Sequence, residues 1–210
     1  MAEIESFTRP LVRGFLHRPE RPDGRGLVVT HGAGGSCGAP LLVAVATAFA
    51  AAGVVVLRCD LPFRQRRAQG PPSPAGAAAD RAGLEAAVAA LSEIAAGAMF
   101  IGGQSYGGRQ ATLLAADKPG IAAGLLLFSY PLHPPGRPDR LRTEHFPRLQ
   151  VASVFVQGTA DPFGNAAELA PMLRLIPAPT RLIAVAGAGH DLKRGRFDLA
   201  PVVAALAGPV

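Results

Sequence analysis

The stretch that most restricts this chain runs from Ala98 to Ala115, Ala-Met-Phe-Ile-Gly-Gly-Gln-Ser-Tyr-Gly-Gly-Arg-Gln-Ala-Thr-Leu-Leu-Ala. An apolar run ends in Gly103-Gln104-Ser105-Tyr106-Gly107, and a second apolar run follows at helical spacing. The pattern predicts a buried strand that turns sharply into a helix, with Ser105 at the corner. A side chain at position 103 or 107 would collide as strand and helix separate, which accounts for a glycine two residues before the serine and another two after it. The corner lifts Ser105 Oγ clear of the sheet and aims the helix's first free N–H groups at the same spot. Such a serine is a candidate nucleophile, provided the rest of the chain supplies a histidine, an acid and an oxyanion pocket.

Taken in order, the chain alternates strands with helices. Residues 3–18 read as one or two edge strands, 26–30 and 54–57 as short buried strands, and 40–52 as a helix stopped by Gly53. Residues 64–76, with three arginines and Gly-Pro-Pro-Ser-Pro, read as a surface loop. Leu84, Val88, Leu91 and Ala95 recur at helical spacing, and Asp80, Arg81, Glu85 and Glu93 avoid that stripe. Further strands are expected at 121–130, 151–156 and 181–186, with a short helix or turn at 139–149 and helices at 166–175 and 197–206. Strands that are mostly apolar throughout, separated by helices, predict an α/β fold with a mostly parallel sheet covered on both faces. With 210 residues, 49% of them hydrophobic, the chain can bury a full core as a single domain spanning 1–210.

Four loops follow expected strands: 31–35, 103–107, 157–164 and 187–191. In an open parallel sheet such loops converge at the carboxyl ends of the strands, where ligands bind. Ser105 needs a base, and His190 is the candidate, on a loop freed by Gly187 and Gly189. The imidazole in turn needs a carboxylate to fix its tautomer, and Asp161 is the candidate, biased away from helical geometry by Pro162. Asp191 and Asp60 are the alternatives, Asp191 being too near in sequence to orient its neighbour easily and Asp60 belonging to an earlier strand. The oxyanion pocket needs two backbone N–H groups. Tyr106 supplies one, and His31-Gly-Ala-Gly-Gly35 the second, through Ala33 or alternatively Gly34. His31 reads as a residue bracing that loop, and His133 and His145 as solvated loop histidines. Arg64, Arg66 and Arg67 read as a solvated loop, or else as selectors for an acidic substrate. The Gly32-x-Gly34 pattern fails as a dinucleotide fingerprint because Cys37 stands where Gly or Ala is needed.

The formal charge of +6 raises nucleic acid as a partner. Yet Lys118 and Lys193 are the only lysines, the arginines are scattered, and a chain with no Trp and two Tyr offers no stacking platform. No nucleic-acid partner is expected. The Ala-rich stretch 75–101 carries four charged residues, which argues against a membrane span. Cys37 and Cys59 lack metal or disulfide spacing and fit reduced thiols in a cytoplasmic protein. No signal peptide is visible at the N-terminus.

Thr30-His-Gly-Ala-Gly-Gly35, Gly102-Gly-Gln-Ser-Tyr-Gly-Gly-Arg109, Tyr130-Pro-Leu-His-Pro-Pro-Gly136, Val156-Gln-Gly-Thr-Ala-Asp-Pro-Phe-Gly164 and Gly189-His-Asp-Leu-Lys193 together resemble the α/β-hydrolase superfamily over nearly the whole chain. The resemblance is to its small lidless, dienelactone-hydrolase-like branch, and within it to the group related to the testis-expressed and NSL-complex subunit hydrolase-like domains. It implies Ser105, Asp161 and His190 as a triad, in the chain order of α/β-hydrolases. Dienelactone hydrolases usually carry a cysteine nucleophile where this chain has Ser105, so their substrate does not transfer. The interval between Ser105 and Asp161 leaves only 133–150 for a lid, so an open, shallow, lidless site is expected, suited to small acyl esters or thioesters. The expected chemistry needs no cofactor or metal, and a monomer or homodimer would suffice. The alternative is a catalytically idle protein-interaction module on the same fold.

Overall fold

In a computed structural model that describes residues 2–207, eight strands form one sheet in the order β1-β2-β4-β3-β5-β6-β7-β8. β1 (Glu3–Arg9) and β2 (Val12–Arg18) form an antiparallel hairpin, and β2 pairs antiparallel with β4 (Val55–Asp60). From β4 onward, β3 (Gly26–Thr30), β5 (Met99–Gln104), β6 (Gly124–Phe128), β7 (Ser153–Gly158) and β8 (Thr180–Val185) run parallel. The parallel strands β3, β6 and β7 are buried at every position, as a sheet sandwiched between helices requires.

One face is covered by α1 (Pro40–Ala51) and α6 (Ala200–Ala207), through a cluster that includes Leu42, Val45, Phe49 and Val202. The other is covered by α2 (Pro62–Arg66), α3 (Ala77–Ser92), α4 (Tyr106–Asp117) and α5 (Ala166–Met172), with Phe63, Leu84, Leu91, Leu114 and Leu169 in its core. Among the described residues no helix is long and apolar enough to cross a membrane. The segment between β6 and β7 holds only a 3-10 turn, Phe146–Arg148, so no helical lid is inserted there.

Several expectations need correcting. β4 runs on to Asp60, and β6 is shorter than 121–130. Residues 64–76 are not simply a loop: Pro62 starts the short helix α2, and a 3-10 turn spans Pro74–Gly76. Asp80, assigned to the solvent side of α3, is fully buried and accepts hydrogen bonds from Phe63 N (3.0 Å) and the Tyr106 hydroxyl (2.7 Å). Its carboxylate occupies what the helical period marks as a polar face because α2 and the start of α4 pack over that face. His133 and His145 are buried as well. His145 Nε2 lies 2.8 Å from Thr112 Oγ1 on α4, and its ring packs edge-on against Phe146.

The sheet needs glycine where strands approach a neighbouring carbonyl. A Cβ on Gly102 in β5 would strike the carbonyl of Leu126 in β6, whereas one on Gly34 would meet nothing within 4 Å. Gly102→Ala is therefore expected to cost about 1–3 kcal/mol, and Gly34→Ala less than about 0.5 kcal/mol, as read by urea unfolding. Burial also pushes the His17 and His145 pKa values down from 6.5 to about 4. Between those values the unfolded chain binds protons that the folded one does not, so the contribution of these two histidines to stability should fall as pH drops from 6.5 to 4. Urea midpoints across that range should show the fall, and His145→Gln should reduce its slope.

Candidate active site

At the end of β5 the chain enters α4 through Ser105, whose backbone lies in the left-handed region (φ 49°, ψ −114°). A non-glycine residue holds that conformation only when its surroundings impose it. Here the Ser105 N–H is bonded to Phe128 O of β6 (2.8 Å), and Ser105 O accepts from Arg109 N (2.9 Å) to begin the helix. The flanking glycines are needed for a reason more specific than strand–helix separation. A Cβ on Gly107 would sit 2.6 Å from His31 O and Thr30 Cγ2, and one on Gly103 would strike Thr30 O. The end of β3 is what forces both positions to be glycine.

The structure brings Ser105, His190 and Asp161 together. His190 Nε2 lies 2.8 Å from Ser105 Oγ, and His190 Nδ1 lies 2.9 Å from both carboxylate oxygens of Asp161. A carboxylate can only accept, so Nδ1 carries the proton and Nε2 is left to accept from the serine hydroxyl. Asp161 is buried, and its Oδ1 also accepts from Phe163 N (2.9 Å). The alternative acids are occupied elsewhere. Asp60 accepts from Cys37 N (2.7 Å), and Asp191 caps Lys193 N (3.0 Å).

The histidine loop is fixed from three sides. The loops after β7 and β8 are bonded together by Ala160 N to Ala188 O (2.9 Å) and Gly187 N to Thr159 Oγ1 (2.8 Å). Phe163 stacks on the His190 ring at 4.1 Å, and the Gln104 amide donates to His190 O (3.2 Å).

Gln157, at the end of β7, is a residue that sequence reasoning missed. Fully buried, it donates from Nε2 to Asp161 Oδ2 (3.1 Å) and Gly164 O (2.6 Å), and accepts from Tyr130 N (2.8 Å). It ties the acid to its own loop and to the end of β6. The available signal was a polar residue directly after the apolar run Val154–Val156, four positions before Asp161.

The loop 32–35 lies beside Ser105, and a Cβ on Gly32 would stand 3.4 Å from Ser105 Cβ. His31 braces this loop, as expected. Its Nδ1 donates to Gly32 O (2.8 Å), its Nε2 accepts from Leu61 N (3.1 Å), and burial lowers its pKa so that it stays neutral for both roles. Arg64 does not fit either expectation for it. It is buried and donates to Gly35 O (2.8 Å), Ala33 O (2.9 Å) and Gly70 O (3.2 Å), while Arg66 and Arg67 are exposed. Because each peptide is planar and trans, holding Gly32 O fixes the Ala33 N–H, and holding Ala33 O fixes the Gly34 N–H. Among the described residues the Ala33 and Tyr106 N–H groups have no backbone acceptor. Both residues line one cavity of about 730 Å3 with Ser105 and His190. The walls of that cavity come from Pro71–Pro74 on one side and from Pro131, Arg142 and Phe163 on the other.

A family model described as an alpha/beta hydrolase domain matches residues 23–199. Among solved structures, an α/β serine hydrolase homologue from Coxiella burnetii aligns over 98% of this chain and 97% of its own at 18% identity, with a TM-score of 0.74. A dienelactone hydrolase from Anabaena variabilis aligns over 99% and 94% at 21% identity (TM-score 0.70). A lidless α/β serine hydrolase from Xanthomonas campestris aligns over 98% and 91% at 18% identity (TM-score 0.70).

Gln157→Leu keeps the side-chain volume but leaves Gly164 O and Tyr130 N buried without that partner. It should destabilise the chain by about 1–3 kcal/mol in chemical unfolding.

Proposed function

Because the chain belongs to the alpha/beta hydrolase domain family, we propose that it is a serine hydrolase that cleaves small acyl esters or thioesters through an acyl-enzyme on Ser105. The observation that carries this reading is the unbroken hydrogen-bond chain Ser105 Oγ–His190–Asp161, with spacings of 2.8 and 2.9 Å. A serine hydroxyl is a weak nucleophile until a base takes its proton, and this arrangement supplies the base and its orienting carboxylate.

In the proposed reaction Ser105 Oγ attacks the acyl carbon while His190 Nε2 takes its proton. Asp161 stabilises the imidazolium without being protonated itself. The oxyanion of the tetrahedral intermediate accepts from the N–H groups of Tyr106 and Ala33, which cost no reorganisation because α4 and the braced loop already hold them. His190 then protonates the departing alcohol or thiol, and a water, deprotonated by His190, releases the acid. A cavity of about 730 Å3 is of the size that takes a small molecule. With no helix over it, the site suits short acyl chains better than long lipids, which need an apolar cover.

A fluorophosphonate probe should label wild-type protein at Ser105 and leave Ser105→Ala unlabelled. With short p-nitrophenyl esters, Ser105→Ala should lower kcat at least about 10³-fold. Equal ester hydrolysis by the two proteins, with no labelling of the wild type, would sink the hydrolase reading and favour an interaction module. His31→Leu removes the side-chain bond to the Gly32 carbonyl that sets the Ala33 N–H, so kcat should fall about 10-fold or more with a smaller change in KM.

A further inference from the structure

The residues lining the cavity around Ser105 carry permanent charge at two positions only, Arg109 and Arg142. Arg109 stands one turn into α4, and Arg142 comes from the segment between β6 and β7. Both are half-buried. Arg142 is set by its backbone, with its N–H on Leu132 O (2.8 Å) and its carbonyl accepting from the Tyr130 hydroxyl (2.6 Å). The guanidinium itself makes only a long bond, 3.4 Å, to Pro131 O, and no carboxylate among the described residues pairs with it. Arg109 donates from Nη2 to Glu144 Oε1 (2.9 Å), but its Nε is buried with no partner.

The charges around this pair do not balance. Among the described residues Glu144 is the one carboxylate that meets it, and its side chain is 59% exposed, so water screens much of its field. Asp161 is committed to His190, and Asp80 to Tyr106 and Phe63. The two arginines also act on each other: burial first, and Arg109 second, lower the pKa of Arg142. Holding two like charges half-buried at one cavity is unfavourable unless something negative shares the space. The guanidinium fork is, moreover, the side chain best matched to a carboxylate.

We propose that Arg109 and Arg142 form a carboxylate-binding subsite of this cavity, so that the substrates are acyl esters or thioesters whose acyl part carries a second, free carboxylate. Turnover of such compounds rests on the serine-hydrolase reading above; their binding does not. The four-residue step from Ser105 to Arg109 spans roughly 6 Å along the helix. That separation suits half-esters of dicarboxylic acids with a spacer of a few carbons.

Monoethyl adipate and the uncharged diethyl adipate separate the two ideas. Calorimetric titration of Ser105→Ala protein should show the half-ester bound at least about 10-fold more tightly, with a preference that shrinks as salt is raised. Adding Arg142→Gln should reduce the preference below about 2-fold. Arg109→Gln should do the same, and because Arg142 lacks a carboxylate partner, its variant decides the matter if loss of the Glu144 contact unfolds the other. Equal affinity for the two esters, or a preference that survives Arg142→Gln, would overturn the subsite. Wild-type protein that binds the half-ester selectively, hydrolyses neither ester and takes no fluorophosphonate label would overturn the hydrolase reading and leave the subsite standing. Hydrolysis of both esters with equal kcat/KM would do the reverse.

Discussion

The site depends on one strained residue. Ser105 occupies a left-handed backbone conformation that costs on the order of 1–3 kcal/mol, and three strands act together to hold it there. β5 delivers it, the Phe128 carbonyl of β6 takes its N–H, and the end of β3 presses so close that positions 103 and 107 admit no side chain. Since β3, β5 and β6 are the middle of the parallel sheet, the strain is met by the best-buried part of the molecule. The corner is thus a product of sheet order, and the position of Ser105 follows from how closely neighbouring strands pack.

Around that corner, buried polar side chains do the positioning. Arg64 and His31 grip successive carbonyls of the loop 32–35, Gln157 holds Asp161 to the end of β6, and Asp80 joins α2 to the start of α4 through Phe63 N and the Tyr106 hydroxyl. Each of these groups would be costly to bury alone, and each is satisfied by the backbone it orients. The loops therefore act as rigid parts although they contain little regular structure. Under the proposed function, the oxyanion pocket built in this way is organised before substrate arrives, the condition under which backbone donors contribute most.

Charge is distributed with the same economy. An overall excess of arginine across the chain says little about binding, because most of it faces water. What matters is which guanidiniums are turned inward. Arg64 serves the loop beside Ser105, and Arg58 bonds to His17 Nε2 (2.7 Å) under the β1–β2 hairpin. Arg109 and Arg142, at the cavity itself, are left with unspent donors. Arg66 and Arg67, nearest to Arg64 in sequence, stay on the surface.

Much of this was legible in the residues. The alternation of apolar runs with helical periods predicts a parallel α/β sheet, and the positions of Gly, Asp and His after successive strands point to Ser105, Asp161 and His190. Local chemistry decides those features: strand and helix periods are set by side chains a few positions apart, and a glycine-flanked corner is visible in five residues. The partners of Arg64, the burial of Asp80, His133 and His145, and the role of Gln157 were not legible, because each depends on contacts between segments distant in the chain. A helical period marks Asp80 as polar and outward, and only the packing of α2 and α4 over it turns that face inward. Whether an arginine is a solvated charge or a clamp on a loop is likewise a matter of which backbone lies within its reach, and only the folded arrangement of the strands determines that.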